Sequence, residues 1–160
     1  MRIEKLSFCN INSLAGKFEI DFTHPELAGP GIFAITGPTG AGKTSILDAI
    51  AFALYGKSPR QRGVSKGSNE LMSHGTTHCF AEVLFEQGGQ HYIARAEQKR
   101  ARRAALNPFS EARYELRRLA ADGQVELLTN SKREFDRLVP QYTGLSFNNF
   151  SRCMMLAQGE

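Results

Sequence analysis

The sequence predicts an α/β fold in which a glycine-rich turn joins a buried strand to a helix, with an antiparallel β layer beside them. The apolar run at residues 32–35 is typical of a strand buried on both faces. Apolar residues then recur at helical spacing from Lys43 to Tyr55, and two later pairs of alternating segments each flank a turn sequence. The length of 160 residues indicates one compact domain.

The first half of the chain is predicted to contain three strands and a helix. Residues 2–10 and 16–22 alternate between apolar and polar side chains, which indicates two strands with one solvated face each. A cluster of Pro and Gly at residues 24–31 separates them from the buried strand, which we expect to be parallel. The helix from Lys43 to Tyr55 should end at Gly56, and residues 56–75 should form a long surface loop.

The second half is predicted to be an antiparallel meander followed by two short helices. Strands at residues 80–86 and 91–97 flank one turn sequence, and strands at 113–119 and 125–128 flank another. Ser131 and Glu134 form a capping-box pattern that opens a helix, which Pro140 should end. Ser146 should cap a second helix that runs through Phe150.

Composition and charge exclude several classes of protein. The longest nearly apolar run, residues 46–55, is interrupted by Asp48 and is too short to span a membrane, and no secretory signal is present at the N-terminus. Three widely spaced cysteines exclude a disulfide framework and suit the reducing cytoplasm, where we expect the protein to act. The net charge of +4 allows a polyanionic partner without requiring one.

A phosphate-binding motif lies between the predicted buried strand and the helix. The pattern G-x-x-x-x-G-K-[ST] is matched by Gly37, Pro38, Thr39, Gly40, Ala41, Gly42, Lys43 and Thr44. Glycines let the main chain curl so that its N–H groups and the helix N-terminus face a nucleotide phosphate tail. We expect Lys43 to bind the β- and γ-phosphates, Thr44 to place its hydroxyl on Mg²⁺, and Ser45 to contact the α-phosphate. The sequence therefore predicts nucleotide binding.

The motifs that would complete a nucleotide hydrolase are missing. No run of four apolar residues ends in an acidic residue in a strand context, and the guanine-reading N-K-x-D pattern does not occur, which excludes a complete GTPase. Two other functions remain open at this point. One is a phosphotransferase similar to a nucleoside kinase, with arginines from the basic segments at residues 60–66 and 99–118, and the other is a phosphate-binding module without turnover.

The order of several motifs resembles the N-terminal ATPase segment of the SbcC family of DNA-repair exonuclease subunits, within the ABC/SMC-like ATPases. The resemblance is carried by residues 6–14, 33–44, 47–50, 53–55 and 155–160 and covers the whole chain. It implies that residues 1–160 are the N-terminal lobe of an ABC-type ATPase head, ending at the Q-loop. It also implies ATP and Mg²⁺ as cofactors, with Gln158 contacting Mg²⁺ and the attacking water.

The same resemblance implies partners for the full protein. These are a second copy of the head, a separate metal-dependent nuclease of the SbcD type that cuts the DNA, and double-stranded DNA itself. Hydrolysis would need a C-terminal half and head dimerisation, so we expect the isolated segment to be inactive.

Further site residues follow from the same resemblance. Asn12 stands where the family has an arginine that touches nucleotide, and the base-side contact falls on Met72, Ser73 and His74. Basic residues cluster from Lys99 to Arg118, and within that cluster DNA backbone contact is predicted for Arg100, Arg102 and Arg103, with a solvated surface as the alternative. We interpret His74, His78 and Cys79 as loop residues, because a zinc site needs a fourth ligand.

Overall fold

The computed structural model describes residues 1–27, 35–60, 64–104 and 107–155, without the side chains of residues 103 and 153–155. Six strands and three α-helices follow one another along these residues. The strands are β1 (Arg2–Ile11), β2 (Leu14–Asp21), β3 (His78–Gln87), β4 (Gln90–Lys99), β5 (Arg113–Leu119) and β6 (Val125–Thr129). The helices are α1 (Lys43–Tyr55), α2 (Lys132–Thr143) and α3 (Phe147–Met155).

The strands form one antiparallel sheet in the order β2-β1-β3-β4-β5-β6. Strand β1 inserts between β2 and β3, and the rest is a meander. Alternate residues of β3 and β4 are buried, as the two-residue period requires. The predicted α/β class and both predicted hairpins are confirmed, with β3 and β4 each longer than expected.

Helix α1 packs across the buried face of β1, β3 and β4. Every residue from Ala49 to Tyr55 is buried, including Phe52 with no exposed surface. The helix has the predicted bounds, and it ends as predicted at Gly56, which has φ 69° and donates its N–H to the Phe52 carbonyl at 2.8 Å. The second half of α1 is therefore enclosed on all sides, which holds its N-terminal turn in a fixed place over the sheet.

Two predictions about α2 are wrong. Pro140 was expected to end the helix but lies inside it. The last turn is completed after the proline, because the Thr143 hydroxyl donates to the Val139 carbonyl at 2.8 Å and the Gly144 N–H donates to the Pro140 carbonyl at 3.0 Å. The Ser131 side chain makes no capping bond, and the Glu134 carboxylate instead accepts from Arg137 at 2.7 Å.

The cap of α3 is as predicted, with the Ser146 hydroxyl accepting from the Asn149 N–H at 3.3 Å. The helix itself continues past Phe150 to Met155.

The predicted parallel strand at residues 32–35 lies outside the described residues except for Ile35. That residue belongs to no strand and is 39% exposed, so the end of this prediction is not confirmed. Among the described residues, no helix is long and apolar enough to cross a lipid bilayer.

Candidate functional site

The glycine-rich segment forms a tight turn that leads directly into α1. Gly42 is the N-cap residue and has φ 87°, and Gly40 has φ 85°, both in the left-handed region that favours glycine. The Ala41 N–H donates to the Pro38 carbonyl at 3.2 Å. No side chain caps the helix, so its first N–H groups are turned toward an exposed loop. This arrangement can receive an anion.

The Lys43 side chain folds back and bonds the start of the phosphate-binding loop. Its Nζ donates to the carbonyl of Gly37 at 2.7 Å and to that of Pro38 at 2.8 Å. An ammonium has three donors, so these two bonds leave one for a ligand. The lysine is thereby held beside the helix N-terminus, where its charge adds to that of the helix dipole.

The hydroxyls predicted to contact phosphate and metal occupy the first turn of α1. Thr44 is half-buried, whereas Ser45 is buried with its Oγ 3.3 Å from the Oγ of Ser13. Ser13 belongs to the turn between β1 and β2, so this contact joins that turn to the phosphate-binding loop.

The structure brings Asn12 and residues 72–74 together, as a shared site requires. The Asn12 N–H donates to the Leu71 carbonyl at 2.7 Å, and the Ser73 N–H donates to the Asn10 carbonyl at 3.0 Å. These bonds align the β1–β2 turn with the loop that precedes β3. The two segments line an open groove of about 870 Å³, whose lining residues are Asn12, Asn69, Glu70, Met72, Ser73, His74, Gly75 and Arg100.

The groove offers a polar ligand a buried hydroxyl and a wall that is fixed by hydrogen bonds. The Ser73 Oγ is buried and has no hydrogen-bond partner in the described part of the chain. Asn69, which the sequence did not point to, accepts from the N–H groups of Leu71 and Met72, both at 2.9 Å, and donates to Gln98 at 2.7 Å. The wall of the groove is thus fixed by buried hydrogen bonds.

A buried carboxylate lies behind the phosphate-binding loop and was missed as a site residue. Asp48 of α1 is 1% exposed and accepts from Asn12 Nδ2 at 2.8 Å, from Ser58 Oγ at 2.5 Å and from Arg60 Nη2. Asp48 is the one acidic residue of the predicted helix, where most side chains are apolar, and this is a signal that it needs partners if buried. The sequence did not show that those partners come from two loops.

Several of the basic residues contact other groups of the protein. Arg100 stacks on the Phe109 ring at 4.0 Å and donates to the Asn107 carbonyl at 2.8 Å, and it lines the groove described above. Arg102 is exposed with φ 51°, and the Arg103 side chain lies outside the described residues. Five others form ion pairs, namely Arg60, Lys66, Lys99, Arg117 and Arg118.

Of the remaining residues singled out in the sequence, His78 and Cys79 lie in β3 rather than in the predicted loop. Gln158 lies outside the described residues. His78 contacts Cys9, with 3.7 Å between Nε2 and Sγ. Within the described ranges no group of three or more His, Cys, Asp or Glu could hold a metal ion. Burial raises the pKa of the Cys79 thiol to about 12, which keeps it protonated and unreactive at neutral pH.

Comparison with known proteins supports the sequence resemblance. The SbcC component of the SbcCD nuclease of Pseudomonas aeruginosa is 40% identical over 175 residues, and that of Rhodobacter capsulatus is 41% identical over 176 residues. Both alignments cover 100% of this chain and 14% of the relative, so the chain spans about one seventh of these proteins. The resemblance to SbcC is confirmed.

Two further matches extend the comparison. The SMC head domain from Thermotoga maritima is 25% identical, with a TM-score of 0.44, over 78% of this chain and 38% of that chain. A likeness at that TM-score decides nothing about the architecture. A family model described as AAA domain matches residues 5–160. The chain therefore belongs to the AAA domain family.

Proposed function

We propose that this chain is the ATP-binding half of the ATPase head of an SbcCD-like nuclease complex that acts on DNA double strands in repair and recombination. The observation that carries the proposal is the loop at residues 37–44, with Lys43 locked across it in front of an uncapped helix N-terminus. The relatives named as components of the SbcCD nuclease support the biological setting.

In this proposal each segment of the site has one role. Main-chain N–H groups of the loop and the Lys43 ammonium bind the β- and γ-phosphates. Thr44 would supply a ligand to Mg²⁺, and the Ser45 hydroxyl would contact the α-phosphate. The groove lined by Asn12, Met72, Ser73 and His74 receives the remainder of the nucleotide.

Hydrolysis, in the same proposal, needs groups from outside these segments. Gln158 would contact Mg²⁺ and the attacking water. The acidic residue that polarises this water would come from a C-terminal half, and a second copy of the head would face the nucleotide. An SbcD-like nuclease would cut the DNA in the cytoplasm, and exposed cations such as Arg102 would contact the DNA backbone. The segment alone should then bind ATP without turning it over.

The proposal is tested by comparing phosphate release with nucleoside phosphorylation. The protein that carries this chain together with the proposed C-terminal half of the head is incubated with MgATP, with and without duplex DNA and the partner nuclease, and both products are measured. We expect phosphate release that duplex DNA changes, and its loss in Lys43→Ala but not in Lys17→Ala, which removes an exposed lysine from β2. Phosphoryl transfer to a nucleoside would show a kinase instead, and binding without turnover in every mixture would show a phosphate-binding module.

A further inference from the structure

The Asp48 carboxylate is buried close to the phosphate-binding loop. Asp48 follows Thr44 by four residues, so the two side chains share one face of α1, about 6 Å apart along the axis. Its partner Asn12 also lines the groove beside the loop. A negative charge in a dry environment is therefore placed one helical turn from the site proposed for phosphates and Mg²⁺.

Left unpaired, this carboxylate would oppose nucleotide binding. Between this carboxylate and a whole triphosphate tail about one helical turn away, partly shielded by protein and solvent, the repulsion weakens affinity on the order of tenfold, and by less for a single phosphate. The penalty grows with the number of phosphates, because AMP, ADP and ATP carry successively more negative charge. A site built for a triphosphate needs this carboxylate neutralised.

Arg60 provides the neutralising charge. Of the lysines and arginines whose side chains the structure describes, it is the one that forms an ion pair with Asp48, through Nη2 and Oδ2. Asn12 Nδ2 donates to the same oxygen, so the two donor nitrogens lie within about 5 Å of each other. Ser58 bonds the other oxygen and accepts from the Arg60 N–H at 3.2 Å, which fixes the arginine's backbone.

We propose that Arg60 is a positioning residue for nucleotide binding, which cancels the Asp48 charge beside the phosphate site and so permits the carboxylate to hold Asn12 in the groove. The inference rests on the proposed function and extends it to a residue outside the phosphate-binding motif. Arg60 acts through Asp48, so its effect should follow the charge of the ligand and should disappear when the Asp48 side chain is replaced by a neutral one.

The test is a set of affinities measured by calorimetry for AMP, ADP and ATP in the full chain. In Arg60→Gln we expect ATP to bind about tenfold more weakly and AMP less than about threefold more weakly. In the double variant Asp48→Asn/Arg60→Gln, ATP affinity should return to within about threefold of wild type, since an amide at position 48 still accepts from Asn12. Lys17→Gln, which removes an exposed lysine from β2, is the control and should leave all three affinities unchanged.

Several results would overturn the inference. An equal loss for all three nucleotides would show that Arg60 only holds its loop, and a double variant as weak as Arg60→Gln would show that Arg60 contacts the ligand itself. Unchanged affinity in Arg60→Gln would show no role at all. If Arg60→Gln does not fold, the double variant and Arg60→Lys, which keeps the charge, must still bind ATP within about threefold of wild type. Wild type that binds no nucleotide would overturn the proposed function as well.

Discussion

Two glycines of the phosphate-binding loop have nearly the same φ angle in different surroundings, and this predicts a difference between their alanine variants. Gly40 has φ 85° and Gly42 has φ 87°. A Cβ at Gly40 would meet nothing within 4 Å, whereas a Cβ at Gly42 would lie 2.7 Å from Cδ2 and 2.8 Å from Cγ of Leu14. Gly42→Ala should therefore be the more damaging change.

The expected magnitudes follow from these contacts. Gly40→Ala incurs the cost of the left-handed conformation alone, about 1–2 kcal/mol. Gly42→Ala incurs the same cost and must also displace the half-buried Leu14 at the start of β2, which adds about 1–3 kcal/mol. The free energy of unfolding should thus fall about 2–5 kcal/mol in Gly42→Ala.

Urea denaturation followed by circular dichroism measures both losses. The variant Gly42→Ala/Leu14→Ala tests the cause, because removing the leucine side chain removes the clash while leaving the backbone cost. We expect the loss caused by Gly42→Ala to be smaller in the Leu14→Ala background than in wild type. Equal losses in the two single glycine variants, or no coupling between positions 14 and 42, would refute the reasoning.

Three other predictions concern pH, DNA and the core. Burial raises the pKa of Cys79 and of Tyr114 to about 12, above their ordinary values of 9.0 and 10.0, so both stay protonated in the folded chain while they ionise in the unfolded one. The free energy of unfolding should therefore fall as pH rises from about 9 to about 12, and it should fall less steeply in Cys79→Ala. Denaturation of both proteins at about pH 8 and about pH 10.5 measures the two decreases. If duplex DNA contacts the exposed Arg102 and Arg113, replacing both with glutamate should flatten the dependence of DNA affinity on salt concentration. The control Lys17→Glu, on the distant β2, should leave that dependence unchanged. The same salt dependence in wild type and in the double glutamate variant would contradict DNA contact at these residues. Phe52→Ala should lower the free energy of unfolding by about 3–5 kcal/mol, and a loss below about 1 kcal/mol would contradict its complete burial.

The sequence predicted those elements whose signals are local. Helix α1 shows the helical period from Lys43 to Tyr55 and a glycine at its end, and its bounds are as predicted. The β3–β4 hairpin alternates strictly about two glycines, so its register follows from the turn. Pro140 misled the prediction because a proline in the last turn forfeits only one hydrogen bond, and the turn is closed by Thr143 and Gly144.

The sequence could not predict those features of the site that depend on how the loops fold. Lys43 was found from its motif, but Asp48 gains partners 36 residues before it and 12 residues after it, and no local pattern encodes those pairings. Contact with DNA was predicted for Arg100 because it lies in a cluster of basic residues. Its stacking on Phe109 depends instead on how the chain folds back after β4. Charge counts alone cannot separate paired cations from exposed ones.

The central claim is that the loop at residues 37–44 and the Lys43 ammonium bind the phosphate tail of a nucleotide. Calorimetric titration of MgATP into the wild-type full chain and into Lys43→Ala tests it directly, with thermal unfolding as the check on folding. We predict saturable one-site binding by wild type and none by Lys43→Ala, with the two unfolding temperatures nearly equal. Equal affinity in the two proteins, or no binding by wild type, would contradict the claim.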